Sequence, residues 1–233
     1  MSLPVRFVLG ALLGAGALLV PASPASAHKR DFVFSYDWWT PAKGEKEIET
    51  WGSYATADKS TQGQIEYETG LTERLALSAY LVTEKAKGES AHAGYKAEAR
   101  YRFGDYAEGK ILPAGYIELE KMQTETAELE GKLILSRFVG DANLTLNLIA
   151  SGHMRGETNR EYSYALGYAR GTRNPSVRLG MEAVGSLQDN SHGVGPVVAY
   201  DINASTRAVL GSAFGLTTGT GTQIRFIVEY EWF

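Results

Sequence analysis

Between Thr222 and Phe233 apolar and polar side chains alternate. Ile224, Phe226, Val228, Tyr230 and Trp232 fall on one side, and Gln223, Arg225, Ile227, Glu229 and Glu231 on the other. Residues two apart share a face of a strand but lie on opposite sides of a helix, so the pattern predicts a strand. Ala91–Phe103 repeats it, separating Ala93, Tyr95, Ala97, Ala99, Tyr101 and Phe103 from Lys96, Glu98, Arg100 and Arg102. Cutting the chain at its polar turns gives twelve strands. They run at about Glu45–Ala57, Gln62–Leu71, Arg74–Thr83, Ala91–Phe103, Ile111–Lys121, Ala127–Val139, Ala142–His153, Glu161–Arg170, Val177–Gln188, Gly193–Ile202, Arg207–Leu216 and Thr222–Phe233. No helical pattern is available to cover their apolar faces, which leaves lipid as the apolar solvent. Alternating strands of about 9–11 residues with interfacial aromatics are what a membrane barrel requires. The expected fold is all-β, an antiparallel up-and-down transmembrane barrel of about twelve strands.

The terminal strand ending in an aromatic resembles that of Gram-negative outer-membrane barrels, where a final Phe marks the strand for assembly. The resemblance implies an outer-membrane location, lipid around the wall, and recognition of strand 222–233 by the barrel-assembly machinery. One feature departs from the pattern: Trp232 holds the lipid-facing register and Phe233 is one residue out of phase. With Phe233 at the periplasmic side, the turns near Asp58, Lys87, Glu125, Glu157, Asn190 and Thr218 become extracellular, and none is long. Tyr101, Phe103, Tyr168, Tyr200, Tyr230 and Trp232 then gather at one interface, and Tyr54, Tyr95, Tyr162 and Phe214 at the other.

Residues 1–27 read as a cleaved signal peptide, with Arg6, an apolar run from Phe7 to Val20, and Ala25-Ser26-Ala27 before the expected cleavage. Residues 28–44 form an aromatic-rich segment containing Phe32, Phe34, Tyr36, Trp38 and Trp39. Three placements stay open for it: an extra strand, a periplasmic lead-in, or a segment tucked into the barrel. Residues 45–233 are the barrel. Without Arg6 the chain keeps one fewer than its 23 Lys and Arg, against 27 Asp and Glu, a balance of −5. That argues against nucleic acid as a partner, because a binding domain carries a basic face. No cysteine is present, so no disulfide framework forms.

Thr40-Pro41-Ala42-Lys43-Gly44-Glu45-Lys46-Glu47-Ile48-Glu49, followed by Tyr67-Glu68-Thr69-Gly70-Leu71-Thr72-Glu73-Arg74-Leu75, resembles the opening of a transporter family associated with phenol-degradation (MetA-pathway) gene clusters. The match covers roughly residues 40–77. It implies passage of small hydrophobic or aromatic compounds and carries no substrate residue across.

The alternation points Glu66, Glu68, Lys96, Glu98, Arg100, Arg102, Glu118, Glu120, Glu130, Lys132, Arg178, Glu182, Arg225, Glu229 and Glu231 into the lumen. Buried charges must be paired or hydrated. Two readings follow: a polar, restricted channel for small solutes, or a non-conducting structural barrel sealed by salt bridges. Lys96, Arg100 and Arg102 are expected to face Glu118 and Glu120 across neighbouring strands. A lipid-modifying enzyme would need a nucleophile and base within reach of each other, and Asn190-Ser191-His192-Gly193 has those residue types. Neighbours on a strand face opposite ways, however, so no catalytic residue is assigned. His92, His153 and His192 fall near the extracellular ends and read as solvated rim residues. Gly219-Thr220-Gly221 lacks the following helix of a phosphate loop. No cofactor or metal site is read from the sequence.

Overall fold

The computed structural model describes residues 29–123, 126–155 and 160–233. The expected leader, His28, and the turn positions Glu125 and Glu157 lie outside the described residues. Twelve strands form one closed barrel: β1 Lys46–Ala55, β2 Thr61–Gly70, β3 Leu75–Lys85, β4 His92–Arg102, β5 Leu112–Met122, β6 Glu128–Val139, β7 Ala142–His153, β8 Arg160–Gly171, β9 Val177–Ser186, β10 Ser191–Asn203, β11 Thr206–Gly215 and β12 Thr222–Trp232. Each strand pairs antiparallel with its sequence neighbours, and β1 pairs with β12 to close the ring. Every strand boundary falls within two residues of the position the alternation predicts. No helix occurs among the described residues.

The outward positions make an apolar wall. Leu81 is 69 % exposed, Leu179 53 % and Phe226 46 %, values that suit a hydrocarbon surround and not water. Aromatic side chains stand exposed at both ends of this wall: Tyr101, Phe103, Tyr168 and Tyr200 at the rim where the chain ends, and Tyr54, Tyr95, Tyr162 and Phe214 at the other. We call these the near and far rims.

A twelve-stranded barrel is wider than the eight-stranded kind whose wall side chains meet in the middle. Here residues 29–43 fill the near half of the space. At the near rim, the Lys29 ammonium bonds Asp201 at 3.1 Å and the carbonyl of Asn203 at 2.8 Å, beside the β10–β11 turn. From there the segment rises into the lumen and returns to the near rim, where Lys43 bridges to Gly70. Phe32, Val33 and Ser35 are fully buried and Trp38 is 1 % exposed. Of the three placements open to the aromatic segment, the structure adopts the third, a loop inserted from one end.

Leu148 lies mid-strand on the outer face and Ser151 on the inner face of the same strand. Leu148→Arg should cost roughly 2–4 kcal/mol of folding free energy, the penalty for a basic residue at the bilayer midplane. Ser151→Arg should cost far less. Refolding into lipid vesicles, followed by the heat-modifiable folded band on a gel, compares the two.

Candidate functional site

An irregular segment inside a barrel has no ladder to satisfy its backbone, so its N–H and C=O groups need side-chain partners. The wall supplies them. The Glu182 carboxylate accepts three consecutive backbone N–H groups, from Val33 at 2.9 Å, Phe34 at 2.9 Å and Ser35 at 2.8 Å. The Asn147 amide imitates a strand neighbour for Tyr36. Its oxygen accepts the Tyr36 N–H and its nitrogen donates to the Tyr36 carbonyl, each at 2.7 Å. The Thr145 hydroxyl donates to the same carbonyl at 2.9 Å. Arg225 donates to the carbonyl of Val33 at 3.0 Å and to Ser53 Oγ at 2.9 Å.

The charged arm of the segment is fixed by ion pairs. Arg30 meets Glu49 at 2.7 Å, and its backbone N–H bonds both oxygens of Glu229. Asp31 is held by Arg178 at 2.6 Å and Arg207 at 3.0 Å, while the Asn143 amide bonds both Asp31 and Asp37. Steric fit accompanies the polar contacts. A methyl group on Gly167 would meet the Phe32 ring at 2.7 Å, and one on Gly211 would clash with Val33. These two glycines are recesses in the wall that receive the plug. Tyr36, at its centre, packs on Tyr116 with ring centroids 5.2 Å apart and is surrounded by the cations of Arg30, Lys132 and Arg100 at 4.2, 4.5 and 5.1 Å. Trp39 stacks on Tyr106 of the β4–β5 turn at 5.4 Å.

Beyond the plug lies a vestibule of about 420 Å³ in the far half of the barrel. Phe34, Tyr36, Trp51 and Tyr116 contribute to its floor, and Lys96, Lys132, Glu118, Glu120, Glu128 and Glu130 line one side. Lys96 bridges Glu118 at 3.2 Å and Glu120 at 2.9 Å, and Lys132 meets Glu130 at 2.8 Å. Arg225 reaches the cavity from β12, which stands opposite β6 in the ring.

The charged residues picked out by alternation therefore fall into two groups. Lys96, Glu118, Glu120, Glu130 and Lys132 border the vestibule, with Arg225 at its far wall. Glu66, Glu68, Glu98, Arg100, Arg102, Arg178, Glu182, Glu229 and Glu231 lie around the plug. The expected pairing across β4 and β5 holds for Lys96 and fails for the two arginines. The register sets Lys96 opposite Glu120 and Glu98 opposite Glu118, while Arg100 faces Tyr116 and Arg102 faces Ala114. Arg100 turns instead to Glu68, two strands away, and to Glu98 at 3.2 Å. Arg102 sits 4.6 Å over the Trp38 ring and donates to the Glu73 carbonyl.

Asn143, Thr145, Asn147, Asp31 and Arg207 hold the plug and were not singled out in the sequence. The only signal was an uncharged polar ladder of period two along β7. Ser191 and His192 do point to opposite faces; the His192 ring contacts the Tyr164 hydroxyl at 3.2 Å. His92, His153 and His192 lie on β4, β7 and β10, three strands apart around the ring, and form no common site.

No protein-family model matches the chain, and no curated protein does. Solved structures do share its architecture. The COG4313 outer membrane channel from Pseudomonas putida F1 superposes with a TM-score of 0.66 at 11 % identity, over 86 % of this chain and all of the other. The KdgM porin in complex with disordered oligogalacturonate gives 0.62 at 13 % identity over 79 % and 98 % of the two chains. The NanC porin gives 0.58 at 10 % identity over 78 % and 98 %. The fold is that of outer-membrane β-barrel channels. At these identities the likeness extends to the fold alone, and it does not confirm the narrower phenol-degradation family.

Glu182→Ala removes the acceptor for three N–H groups. Each such bond to a charged group contributes about 1.5–3 kcal/mol, and water entering the space recovers part of it. A net loss of roughly 2–4 kcal/mol is expected in guanidinium unfolding of the detergent-folded protein. Arg100→Ser leaves Glu68 and Glu98 without their cation and should lower the thermal unfolding midpoint, whereas a change at exposed Arg173 should not.

Proposed function

We propose that the protein is a small-solute channel of the Gram-negative outer membrane whose resting lumen is closed on the periplasmic side by its own N-terminal segment. The observation that carries this reading is the division of the lumen into an open, charge-lined vestibule and a plug fastened by polar contacts. A barrel built only for structure has no need of an open half. Likeness in fold to proteins described as porins and channels supports the same reading. The near rim is then periplasmic, and strand 222–233 is the segment offered to the assembly machinery.

The vestibule walls favour small polar solutes, because a hydrophobic molecule would have to strip water from four carboxylates and two ammonium groups to touch them. The finer reading from the phenol-degradation resemblance, passage of aromatic compounds, has one supporting feature. The floor presents ring faces of Phe34, Tyr36, Trp51 and Tyr116 on which a planar solute can stack.

Planar-bilayer conductance decides between a channel and a sealed barrel. Deleting residues 29–40 should raise the conductance from near zero to steady open steps. Gly211→Leu, which fills the Val33 recess while leaving the segment present, should raise the open fraction less. A barrel that stays silent after the deletion, although folded by circular dichroism, is not a channel.

A further inference from the structure

At the near end of the β1–β12 seam the inward face carries two carboxylate pairs directly opposite each other, Glu47 with Glu231 and Glu49 with Glu229. All four side chains are buried, between 1 % and 5 % exposed. Directly opposed residues of an antiparallel pair stand about 4.5–5.5 Å apart at Cβ, and like charges there repel. Compensation within the structure is incomplete. The Arg30 guanidinium pairs with Glu49, and Glu229 accepts only the backbone N–H of Arg30. The other cations nearby, Lys29, Arg207 and Arg100, are bound to Asp201, Asp31 and Glu68.

We propose that this seam binds one divalent cation of the calcium type, held by Glu47, Glu49 and Glu229 with Glu231 as a fourth ligand. Three observations support a ligand here and not merely an acidic cluster. One carboxylate oxygen from each of Glu47, Glu49 and Glu229 lies within 4.8 Å of the others, a spacing that one ion can bridge. Glu231, outside that trio and 97 % buried, faces Glu47 in register and presents an Oε2 with no hydrogen-bond partner. A cavity of about 20 Å³ touches Glu47, Glu49, Glu229 and Arg30, room for one water molecule or ion. An all-oxygen donor set suits a hard cation, and calcium tolerates the irregular geometry of carboxylates fixed by a sheet better than magnesium does. The cation would neutralise the repulsion at the strand pair that closes the ring, next to the arginine that anchors the plug. The proposal does not depend on whether the barrel conducts.

The test uses the full protein, folded in detergent and stripped with chelator. Trp51 donates to Glu49 at 2.6 Å, so terbium bound at the seam should emit on tryptophan excitation. Saturable emission displaced by calcium is expected, together with a calcium-dependent rise in the thermal unfolding midpoint. Glu47→Gln and Glu231→Gln leave the Arg30 contacts intact and should each weaken binding roughly tenfold or more, following the loss of ligand charge. Glu161→Gln, at the far rim, should not change it. The proposal is overturned if wild-type protein gives no saturable emission up to millimolar terbium and calcium leaves its midpoint unmoved. It is equally overturned if both seam variants bind as wild type does. The carboxylates would then share protons, and Glu47→Gln would raise the midpoint without any cation. Should a variant fail to fold, the wild-type midpoint with chelator and with calcium still decides.

Discussion

Backbone that leaves a sheet inside a barrel must find a partner for every N–H and C=O it carries, and this requirement organises the interior. A strand satisfies its neighbour through the ladder, but the inserted loop has none. The wall answers with side chains that stand in for backbone: a carboxylate at Glu182 for three N–H groups, an amide at Asn147 for a whole peptide edge, guanidinium groups at Arg207 and Arg225 for carbonyls. Each must project from the right strand at the right height. The near half of the lumen is therefore far more constrained in composition than the far half, where water can do the same work.

That asymmetry explains what could be read from the sequence. Alternation located all twelve strands because lipid outside and polar matter inside impose a strict period of two on every one. It also put charged residues such as Glu66, Arg100 and Glu229 on the side away from lipid. The path of residues 29–43 has no period, since its conformation follows from sockets contributed by β1, β7, β8, β9, β11 and β12. Phe32 and Val33 are buried by Gly167 and Gly211, and nothing local to those glycines announces their guests. Ion pairing was only partly legible for a related reason. Alternation gives the face a residue occupies, whereas a pair needs the register, and a shift along β5 separates an arginine opposite glutamate from one opposite Tyr116.

The two halves also differ in how charge is handled. In the vestibule, Lys96 and Lys132 pair with Glu118, Glu120 and Glu130 along the wall of a cavity, so each pair has space on one side into which a solute can reach. Around the plug, Arg30, Arg100 and Arg207 sit among buried carboxylates, and removing one partner leaves another charge without compensation. The same chemistry thus lines a cavity in one place and fastens the plug in the other.

The side chain of Arg30 reaches Glu49 on the first strand and its backbone N–H reaches Glu229 on the last, the two strands whose meeting completes the cylinder. Those contacts cannot be made while the wall is still an open sheet. The inserted segment therefore acts as a clasp across the junction at which the sheet becomes a cylinder.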